Sequence, residues 1–282
     1  MAQQYQLLDS GNLLKLEQAG PYRLVRPALN AFWKPTLPQL EWDRADGVFH
    51  RDSSGGGRWE WRSKVPESWD LEWGNFTLLA KPTSFGHLGF FAEQYRNWAF
   101  FEEWLGARPG ADALNLFAYS GVGSMAMARG GAKVCHLDAA RGMIEWGRIN
   151  QEKNSDVPDT IRWIVDDVVK FCRREIRRES RYQLIALDPP TFGRGSSGQL
   201  WKVESDIGEL LDLCRQLIDP ARDFCVELSS HSPGFTPVVL ERLLRQAFGD
   251  QGIVTASEMT IPERSGKVLP AGISCRFLSE KR

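Results

Sequence analysis

A glycine turn followed by an aspartate is the first feature of the chain that could bind a ligand. Within Tyr119-Ser-Gly-Val-Gly123, Gly121 and Gly123 allow a tight turn and let the backbone approach a bound group closely. Ser120 lies in the same turn, and Tyr119 either packs on the ligand or shapes the turn. Asp138 ends the next apolar run, where a carboxylate can accept hydrogen bonds from both hydroxyls of a ribose. The pattern predicts a ribose-containing ligand, with a purely structural turn as the alternative.

Two adjacent aspartates, Asp166 and Asp167, follow a third apolar run. One carboxylate here can accept a hydrogen bond from an exocyclic amine such as that of adenine. The other can cap the helix that follows, because aspartate is a favoured residue at that position. We assign the amine to Asp167 and the helix cap to Asp166.

The stretch Asp188-Pro-Pro-Thr-Phe192 follows a fourth apolar run and is the most informative part of the chain. Pro189 and Pro190 fix the backbone and remove two N–H donors, which leaves rigid carbonyls and a projecting carboxylate. Such a group suits holding a planar amine or base, with the Pro189 carbonyl as a second acceptor and Phe192 available for stacking. Asp188, Pro189, Pro190 and Phe192 are therefore the candidate catalytic residues, and a turn without function is the alternative. Residues 193–198 predict a mobile loop, with Arg194 and Lys202 placed to meet phosphate.

Short apolar runs alternate with helical patterns after residue 110. The strand candidates are residues 113–118, 133–137, 161–165, 182–187 and 224–228, and helical patterns cover 141–151, 168–178 and 207–217. This alternation predicts βαβ units and a mostly parallel sheet covered on both faces. Ligands of such sheets bind beyond the carboxyl ends of the strands, where the candidate residues lie.

The first eighty residues have a different pattern. Runs at 22–26, 47–51 and 58–62 alternate polar with apolar or aromatic residues, which is the period of half-buried strands, and residues 52–57 suit a hairpin loop. We interpret the aromatic side chains as core, with stacking platforms for bases as the alternative. The sequence thus predicts an α/β protein with two domains. A small β-rich, tryptophan-rich domain, residues 1–80, precedes a Rossmann-like domain, residues 81–282, whose sheet carries helices on both faces.

Charge and composition exclude several classes of protein. Lysine and arginine number 35 against 36 aspartate and glutamate, so no overall positive field draws the chain to nucleic acid or to a membrane. No segment approaches the roughly 20 apolar residues of a spanning helix, and the N-terminus does not have the pattern of a signal peptide. The five cysteines are scattered, which argues against a disulfide framework and a structural zinc site, and no metal is expected. These features predict a cytoplasmic protein.

The motifs together resemble those of class I S-adenosylmethionine-dependent methyltransferases. The most similar group is the bacterial family that methylates large-subunit ribosomal RNA at cytosine carbon-5 or at guanine. Besides Asn115–Ser124, Asp138, Asp167 and Asp188–Phe192, two further segments match. Residues 86–98, which include Gln94, resemble the family's G-x-F-x-D-Q-R-x-N-R segment on the cofactor side, and residues 267–276 resemble its C-terminal L-P-x-G stretch. The resemblance covers about residues 85–282.

The resemblance implies S-adenosylmethionine as the methyl donor. It implies that the turn from Tyr119 to Gly123 lines the methionine end, and that Gln94 and Asp188 also contact the cofactor. It further implies that Asp138 binds the ribose, that Asp167 binds the adenine, and that Asp188–Phe192 lie next to the methyl acceptor.

Two departures from the family pattern bear on the acceptor. Cytosine carbon-5 members carry a cysteine after the fifth strand, where this chain has Leu228-Ser-Ser-His-Ser-Pro233. Carbon-5 is a poor nucleophile until a thiolate adds to the ring, and serine does not replace it. Cys225 lies mid-strand in an apolar run and is interpreted as a buried, inert thiol. A nitrogen acceptor is therefore favoured, with His231 either a general base or a structural residue. In the second departure, Glu93 and Trp98 stand where the family has aspartate and arginine, which weakens the case for an RNA target.

The acceptor is left open by the sequence. RNA, and ribosomal RNA in particular, is favoured, and the basic stretch at residues 170–181 is either an RNA contact or a solvated helix face. A protein or a small molecule is the alternative acceptor. A non-catalytic cofactor-binding protein is a further alternative, and so is an NAD-dependent oxidoreductase, because Gly121, Gly123 and Ala126 also fit G-x-G-x-x-A. A homodimer is left open.

Overall fold

The structure is a computed structural model that describes residues 3–52, 55–194 and 198–279, with backbone only at Gln3 and Arg194. The chain forms two compact units. The first contains Met1–Tyr95 and Met259–Ala271, and the second contains Arg96–Glu258 and Gly272–Arg282. The division at residue 80 stays a prediction, since these units join segments that are distant along the chain.

The first unit is built on a mixed sheet of seven strands in the order β5-β4-β3-β2-β1-β6-β7. The strands are β1 Gln3–Gly11, β2 Leu14–Ala19, β3 Tyr22–Pro27, β4 Gly47–Arg51, β5 Gly57–Trp61, β6 Trp69–Trp73 and β7 Phe76–Ala80. A short helix, α1 Gln39–Asp43, precedes β4, and a 3-10 helix, Ala92–Gln94, ends the unit's main segment. Strands β4 and β5 pair antiparallel, as the predicted hairpin requires. The prediction of a β-rich N-terminal region is confirmed.

The aromatic residues of this unit are divided between its core and its surface. Phe49, Phe76, Trp42 and Trp69 are buried. In the β4–β5 hairpin, Trp61 is 41% exposed and stacks on the half-buried Trp59 with ring centroids 4.8 Å apart. The interpretation of these aromatics as core is therefore confirmed for the buried ones and wrong for the exposed ones, which are Phe32, Trp33 and Trp61.

The second unit contains a sheet of seven strands in the order β10-β9-β8-β11-β14-β16-β15. Its strands are β8 Asp112–Leu116, β9 Lys133–Asp138, β10 Ile161–Val165, β11 Leu184–Leu187, β14 Cys225–Ser230, β15 Ile253–Pro262 and β16 Val268–Leu278, and the tips of β15 and β16 belong to the first unit. A separate two-stranded hairpin comprises β12 Phe192–Arg194 and β13 Leu200–Lys202. The helices are α2 Tyr95–Gly106, α3 Val122–Arg129, α4 Arg141–Glu152, α5 Val168–Arg177, α6 Val203–Leu217 and α7 Pro237–Phe248.

Alternate residues of each central strand face opposite helical layers. Leu114 and Leu187 join a buried cluster that includes residues of α5, α6 and α7. Asn115 points the other way and hydrogen-bonds Ser124 of α3. The first five strands run parallel, and β16 is antiparallel to β14. The predicted Rossmann-like sheet with helices on both faces is confirmed. Within the described residues, no helix combines the length and the apolar character needed to cross a membrane.

Candidate active site

The glycine turn joins the end of β8 to the start of α3 and is strongly bent. Phe117 (φ 56°), Tyr119 (φ 53°) and Gly121 (φ 89°) all have left-handed backbone, which costs most residues energy and is common at functional sites. Gly121 is the N-cap residue of α3, and no side chain in the described part of the chain caps that helix. The first amides of α3 are therefore available to an anionic group of a ligand.

Gly121 also meets a tightly packed surface. A Cβ atom at this position would lie 2.8 Å from the Trp163 ring and 3.2 Å from Cα of Gly147 in α4. Such distances are shorter than van der Waals contact, so a larger residue would displace the ring or the turn. Gly121 is thus required both for its backbone conformation and for its lack of a side chain.

Buried hydrogen bonds connect the glycine turn and the start of α3 to β8, β9 and α4. Nδ2 of Asn115 donates to Oγ of Ser124 at 3.0 Å, and Oγ of Ser124 lies 2.9 Å from Nδ1 of His136. Nδ2 of Asn150 in α4 donates to the carbonyl of Ser120 at 2.9 Å. Asn115, Ser120 and Ser124 lie within a motif identified in the sequence, but these contacts and the part played by His136 and Asn150 were not predicted. The available signal was the presence of Asn115 and His136 within otherwise apolar strands, since polar groups are buried only with partners.

The burial of His136 predicts an acid-sensitive fold. Burial lowers the pKa of His136 from 6.5 to about 3. Below pH 6.5 the unfolded chain therefore binds a proton that the folded chain does not, and stability falls by about 1.4 kcal/mol per pH unit until the folded pKa is reached. We expect urea unfolding of His136→Asn, measured between pH 7 and pH 4, to show a shallower decline than the unchanged protein, whatever its stability at pH 7. Parallel curves for the two proteins would contradict this assignment.

Asp138 ties the end of β9 to the glycine turn. One carboxylate oxygen accepts from the backbone N–H of Tyr119 at 3.0 Å, and the other accepts from that of Ala140 at 2.9 Å. Burial raises the pKa of Asp138, and these amides act in the opposite direction. The structure thus brings together Tyr119, Gly121 and Asp138, three of the residues predicted to bind the cofactor.

The third strand end corrects one assignment. Asp167, and not Asp166, is the N-cap of α5, and its Oδ1 accepts from the backbone N–H of Lys170 at 3.0 Å. Asp166 instead accepts from the N–H of Asp167 at 2.8 Å and pairs with Arg174 at 2.7 Å. The predicted cap at Asp166 is therefore wrong, because the helix begins one residue later than that prediction assumed. The role of Asp167 toward adenine stays a prediction.

Asp188 lies at the end of β11, between the glycine turn and the end of β14. Its backbone N–H donates to the carbonyl of Leu116 at 3.4 Å, and its Oδ1 lies 3.4 Å from Nδ1 of His231. His231 follows β14 directly, and both side chains are partly exposed, 26% for Asp188 and 31% for His231. A carboxylate and an imidazole in this arrangement can orient a hydrogen-bond donor and accept its proton.

The residues after Asp188 are held by specific contacts. Nε1 of Trp201 donates to the carbonyl of Pro190 at 2.8 Å, and the hydroxyls of Thr191 and Ser232 lie 2.7 Å apart. Phe192 begins β12 and is 54% exposed, so its ring is accessible for stacking. The predicted loop at 193–198 begins too early, because Gly193 and Arg194 belong to β12 and pair with β13. Residues 195–197 and the side chain of Arg194 lie outside the described residues.

A buried ion pair that the sequence did not predict acts electrostatically on this region. Glu227 of β14 is 2% exposed, and its carboxylate accepts from Nε of Arg276 at 2.7 Å and from the Ser274 hydroxyl. Burial raises the pKa of Glu227, Arg276 lowers it, and the charge of Asp188 raises it further. Oδ1 of Asn97 in α2 accepts from Nη2 of Arg276 at 3.3 Å.

Gln94 belongs to the first unit, where it lies buried in the 3-10 helix. Its predicted role in binding the cofactor stays a prediction.

A parallel sheet of this order, with a glycine turn after its first strand and carboxylates after its second, third and fourth, is the framework of a nucleotide-cofactor enzyme. The family of S-adenosylmethionine-dependent methyltransferases matches residues 49–236. This match covers more than half of the chain, and the chain belongs to that family. The cofactor class inferred from the sequence motifs is confirmed.

Individual relatives agree with this assignment. A crystal structure of an S-adenosylmethionine-dependent methyltransferase from Agrobacterium tumefaciens is 34% identical, with a TM-score of 0.92, and covers 99% of this chain and 92% of that one. A methyltransferase from Streptococcus mutans is 16% identical, with a TM-score of 0.75 over 98% of this chain and 75% of that one, and is similar in fold alone.

Two curated relatives are each named ribosomal RNA large subunit methyltransferase K/L. The one from Syntrophotalea carbinolica is 27% identical over 172 residues, 60% of this chain and 23% of the relative. The one from Pseudomonas paraeruginosa is 33% identical over 109 residues, 38% of this chain and 14% of the relative. The matched part of this chain thus spans less than a quarter of each relative's length.

Proposed function

We propose that this enzyme transfers the methyl group of S-adenosylmethionine to a nitrogen atom of an RNA base. The observation that carries the choice of atom is the contact between Asp188 and His231, 3.4 Å apart, at the strand ends where the acceptor is expected. The names of the two curated relatives support ribosomal RNA as the class of acceptor.

The residues at the strand ends fit the cofactor in their chemistry. The uncapped start of α3 suits the carboxylate of its methionine part, and the left-handed turn at Gly121 lets that group approach the backbone. Asp138 suits the ribose hydroxyls, and Asp167 suits the amine of adenine. Tyr119, Ser120 and Gly123 complete the turn, with Gln94 as a further predicted contact. When bound, the cofactor supplies a methyl group activated by a positively charged sulfur.

The chain's own part in the reaction is to orient the acceptor and take its proton. The Asp188 carboxylate accepts a hydrogen bond from the amine of the base, which directs the nitrogen lone pair toward the methyl group. The Pro189 carbonyl is a second acceptor, Pro190 holds the turn through Trp201, and Phe192 stacks on the base. As the nitrogen–carbon bond forms, the amine proton passes to the pair formed by Asp188 and His231.

The site lacks the residue needed to methylate cytosine at carbon-5. That reaction needs a thiolate close to the base, and Leu228–Pro233 contain no cysteine. All five cysteines are buried. Burial raises the pKa of Cys225, which keeps its thiol protonated.

A methyl-transfer assay tests the class of acceptor. The purified enzyme is given tritium-labelled S-adenosylmethionine with unmodified ribosomal RNA, with total protein, or with a small-molecule extract. We expect acid-precipitable label that ribonuclease releases and protease does not. Label that only protease releases, or label that stays acid-soluble, would assign the enzyme to a protein or small-molecule acceptor and contradict the proposal.

A further inference from the structure

The first unit contains a cavity of about 140 Å³, lined in part by residues from the segment 86–93 of the motif on the cofactor side. Its positively charged lining comes from three neighbouring strands, with Lys15 on β2, Arg26 on β3 and Arg51 on β4. The volume is several times that of a water molecule in the liquid, about 30 Å³, and accommodates a phosphate group.

The positive side chains of the cavity repel one another. Lys15 and Arg26 are directly opposed across the antiparallel β2–β3 pair, and like charges at such positions destabilise a sheet. Glu17 offsets part of this cost, because its carboxylate lies 2.9 Å from Nζ of Lys15 and 2.6 Å from Nε of Arg26. The hydroxyl of Tyr5 donates to the same carboxylate.

The cavity lining keeps an excess of positive charge. Glu17 is fully buried and does not line the cavity, so Glu93 is the one carboxylate among the described lining residues, against three cations. His87 also lines the cavity, and burial lowers its pKa to about 4, so this side chain is neutral at pH 7. Burial, and the charge of Arg26, lower the pKa of Lys15. An anion in the cavity would relieve the repulsion among these cations.

Aromatic rings form the other part of the wall. Phe49 and Phe85 both line the cavity, and Phe85 is 58% exposed. Exposed aromatic rings beside a cationic groove are the combination with which proteins bind single-stranded nucleic acid, because the base stacks while the cations meet the phosphate. Arg51 is likewise exposed, whereas Arg26 and Phe49 are buried and the Lys15 side chain is only 14% exposed, so one cation and one ring are open to solvent at the mouth of the cavity.

We propose that this cavity binds a phosphate group of the RNA acceptor, with the adjoining base stacked on Phe85. The choice of RNA rests on the proposed function, whereas the phosphate chemistry rests on the cavity itself. This cavity lies in the first unit, whereas Asp188 belongs to the second.

Acetylation of Lys15 tests the proposal without using methyl transfer as a readout. Acetic anhydride modifies the unprotonated amine of lysine, and the acetylated peptide is quantified by mass spectrometry. We expect uridine 5′-monophosphate at about ten times its Kd to slow acetylation of Lys15 by about tenfold, since the unoccupied fraction falls to about a tenth. Inorganic phosphate should also protect, and uridine at the same concentration should not. Equal rates with and without the nucleotide, or equal protection by uridine, would overturn the proposal.

Two matched variants show whether protection comes from the cavity. Arg51→Gln removes an exposed lining cation, and the nucleotide should then bind about tenfold more weakly. Arg58→Gln removes an exposed arginine of the adjoining strand β5 that does not line the cavity, and protection should be unchanged. Equal effects of the two substitutions would contradict the assignment.

A longer ligand shows whether the phosphate bound by the cavity belongs to an RNA strand or to a mononucleotide. An oligouridylate of about eight nucleotides without terminal phosphates should protect Lys15 as uridine 5′-monophosphate does, if the site reads an RNA strand. Protection by the mononucleotide alone would overturn the assignment to RNA. If ribosomal RNA is methylated while no phosphate compound protects Lys15, the cavity proposal fails by itself. If the nucleotide and oligomer protect but no RNA is methylated, the proposed function fails and the phosphate site stands.

Discussion

Replacing Asp188 with asparagine should lower kcat for methyl transfer by about 10²- to 10⁴-fold, the range for loss of a positioned proton acceptor. Asparagine keeps the size of the side chain and removes the charge that holds an amine proton and pairs with His231 at 3.4 Å. Binding of S-adenosylhomocysteine, measured by calorimetry, should change by less than about threefold, because the loss falls on the transition state and not on the cofactor.

A matched substitution separates this effect from a general change of charge. Asp212 is an exposed aspartate of α6, and Asp212→Asn should leave both turnover and cofactor binding unchanged. Turnover of Asp188→Asn at the level of the unchanged enzyme would contradict the role of Asp188. Parallel losses of cofactor affinity and turnover would assign it to the cofactor instead of the acceptor.

Replacing Gly121 with alanine should produce the largest loss of stability among the site variants. The residue has φ 89°, and a left-handed conformation costs an ordinary residue about 1–2 kcal/mol. The new methyl group would also lie 2.8 Å from the Trp163 ring, and such overpacking typically adds about 1–3 kcal/mol. We expect the free energy of unfolding in urea to fall by the sum of the two effects, and the affinity for S-adenosylhomocysteine to fall with it.

Gly131 provides the control for this prediction. It also has φ 89°, but a Cβ atom there would meet no heavy atom within 4 Å. Gly131→Ala should therefore lose only the backbone contribution, and the difference between the two variants measures the contact with Trp163. In a Trp163→Leu background the additional cost at Gly121 should shrink, as a double-mutant cycle would show. Equal losses at Gly121 and Gly131 would show that the packing contact carries no energy.

The sequence predicted those residues of the candidate site whose position is indicated by their immediate neighbours in the chain. The turn at Gly121 and the carboxylate at Asp138 each follow an apolar run, and in a parallel sheet the ends of such runs meet at one edge. The choice between Asp166 and Asp167 as helix cap failed because adjacent aspartates have the same propensity. The outcome depended on the residue at which α5 begins, and such boundaries are only weakly encoded.

The parts that were missed depend on distant pairings. Glu227 has its partner Arg276 on an antiparallel strand that is far along the chain, and nothing near either residue indicates the other. His136 and Asn115 lie in strands with an otherwise apolar pattern, so their partnership with Ser124 appears only when the strands and α3 are packed. The cavity lining is similar, because Lys15 and Arg26 are opposed only through the register of β2 and β3.

The identity of the methylated atom tests the account most directly. Unmodified ribosomal RNA is incubated with the enzyme and methyl-deuterated S-adenosylmethionine, digested to nucleosides, and analysed by mass spectrometry against synthetic standards. The account predicts deuterium in a nucleoside methylated on a base nitrogen, and an initial rate of its formation lower by about 10²- to 10⁴-fold when Asp188→Asn replaces the unchanged enzyme. Deuterium in 5-methylcytidine, or on the ribose, would contradict the role assigned to Asp188 and His231.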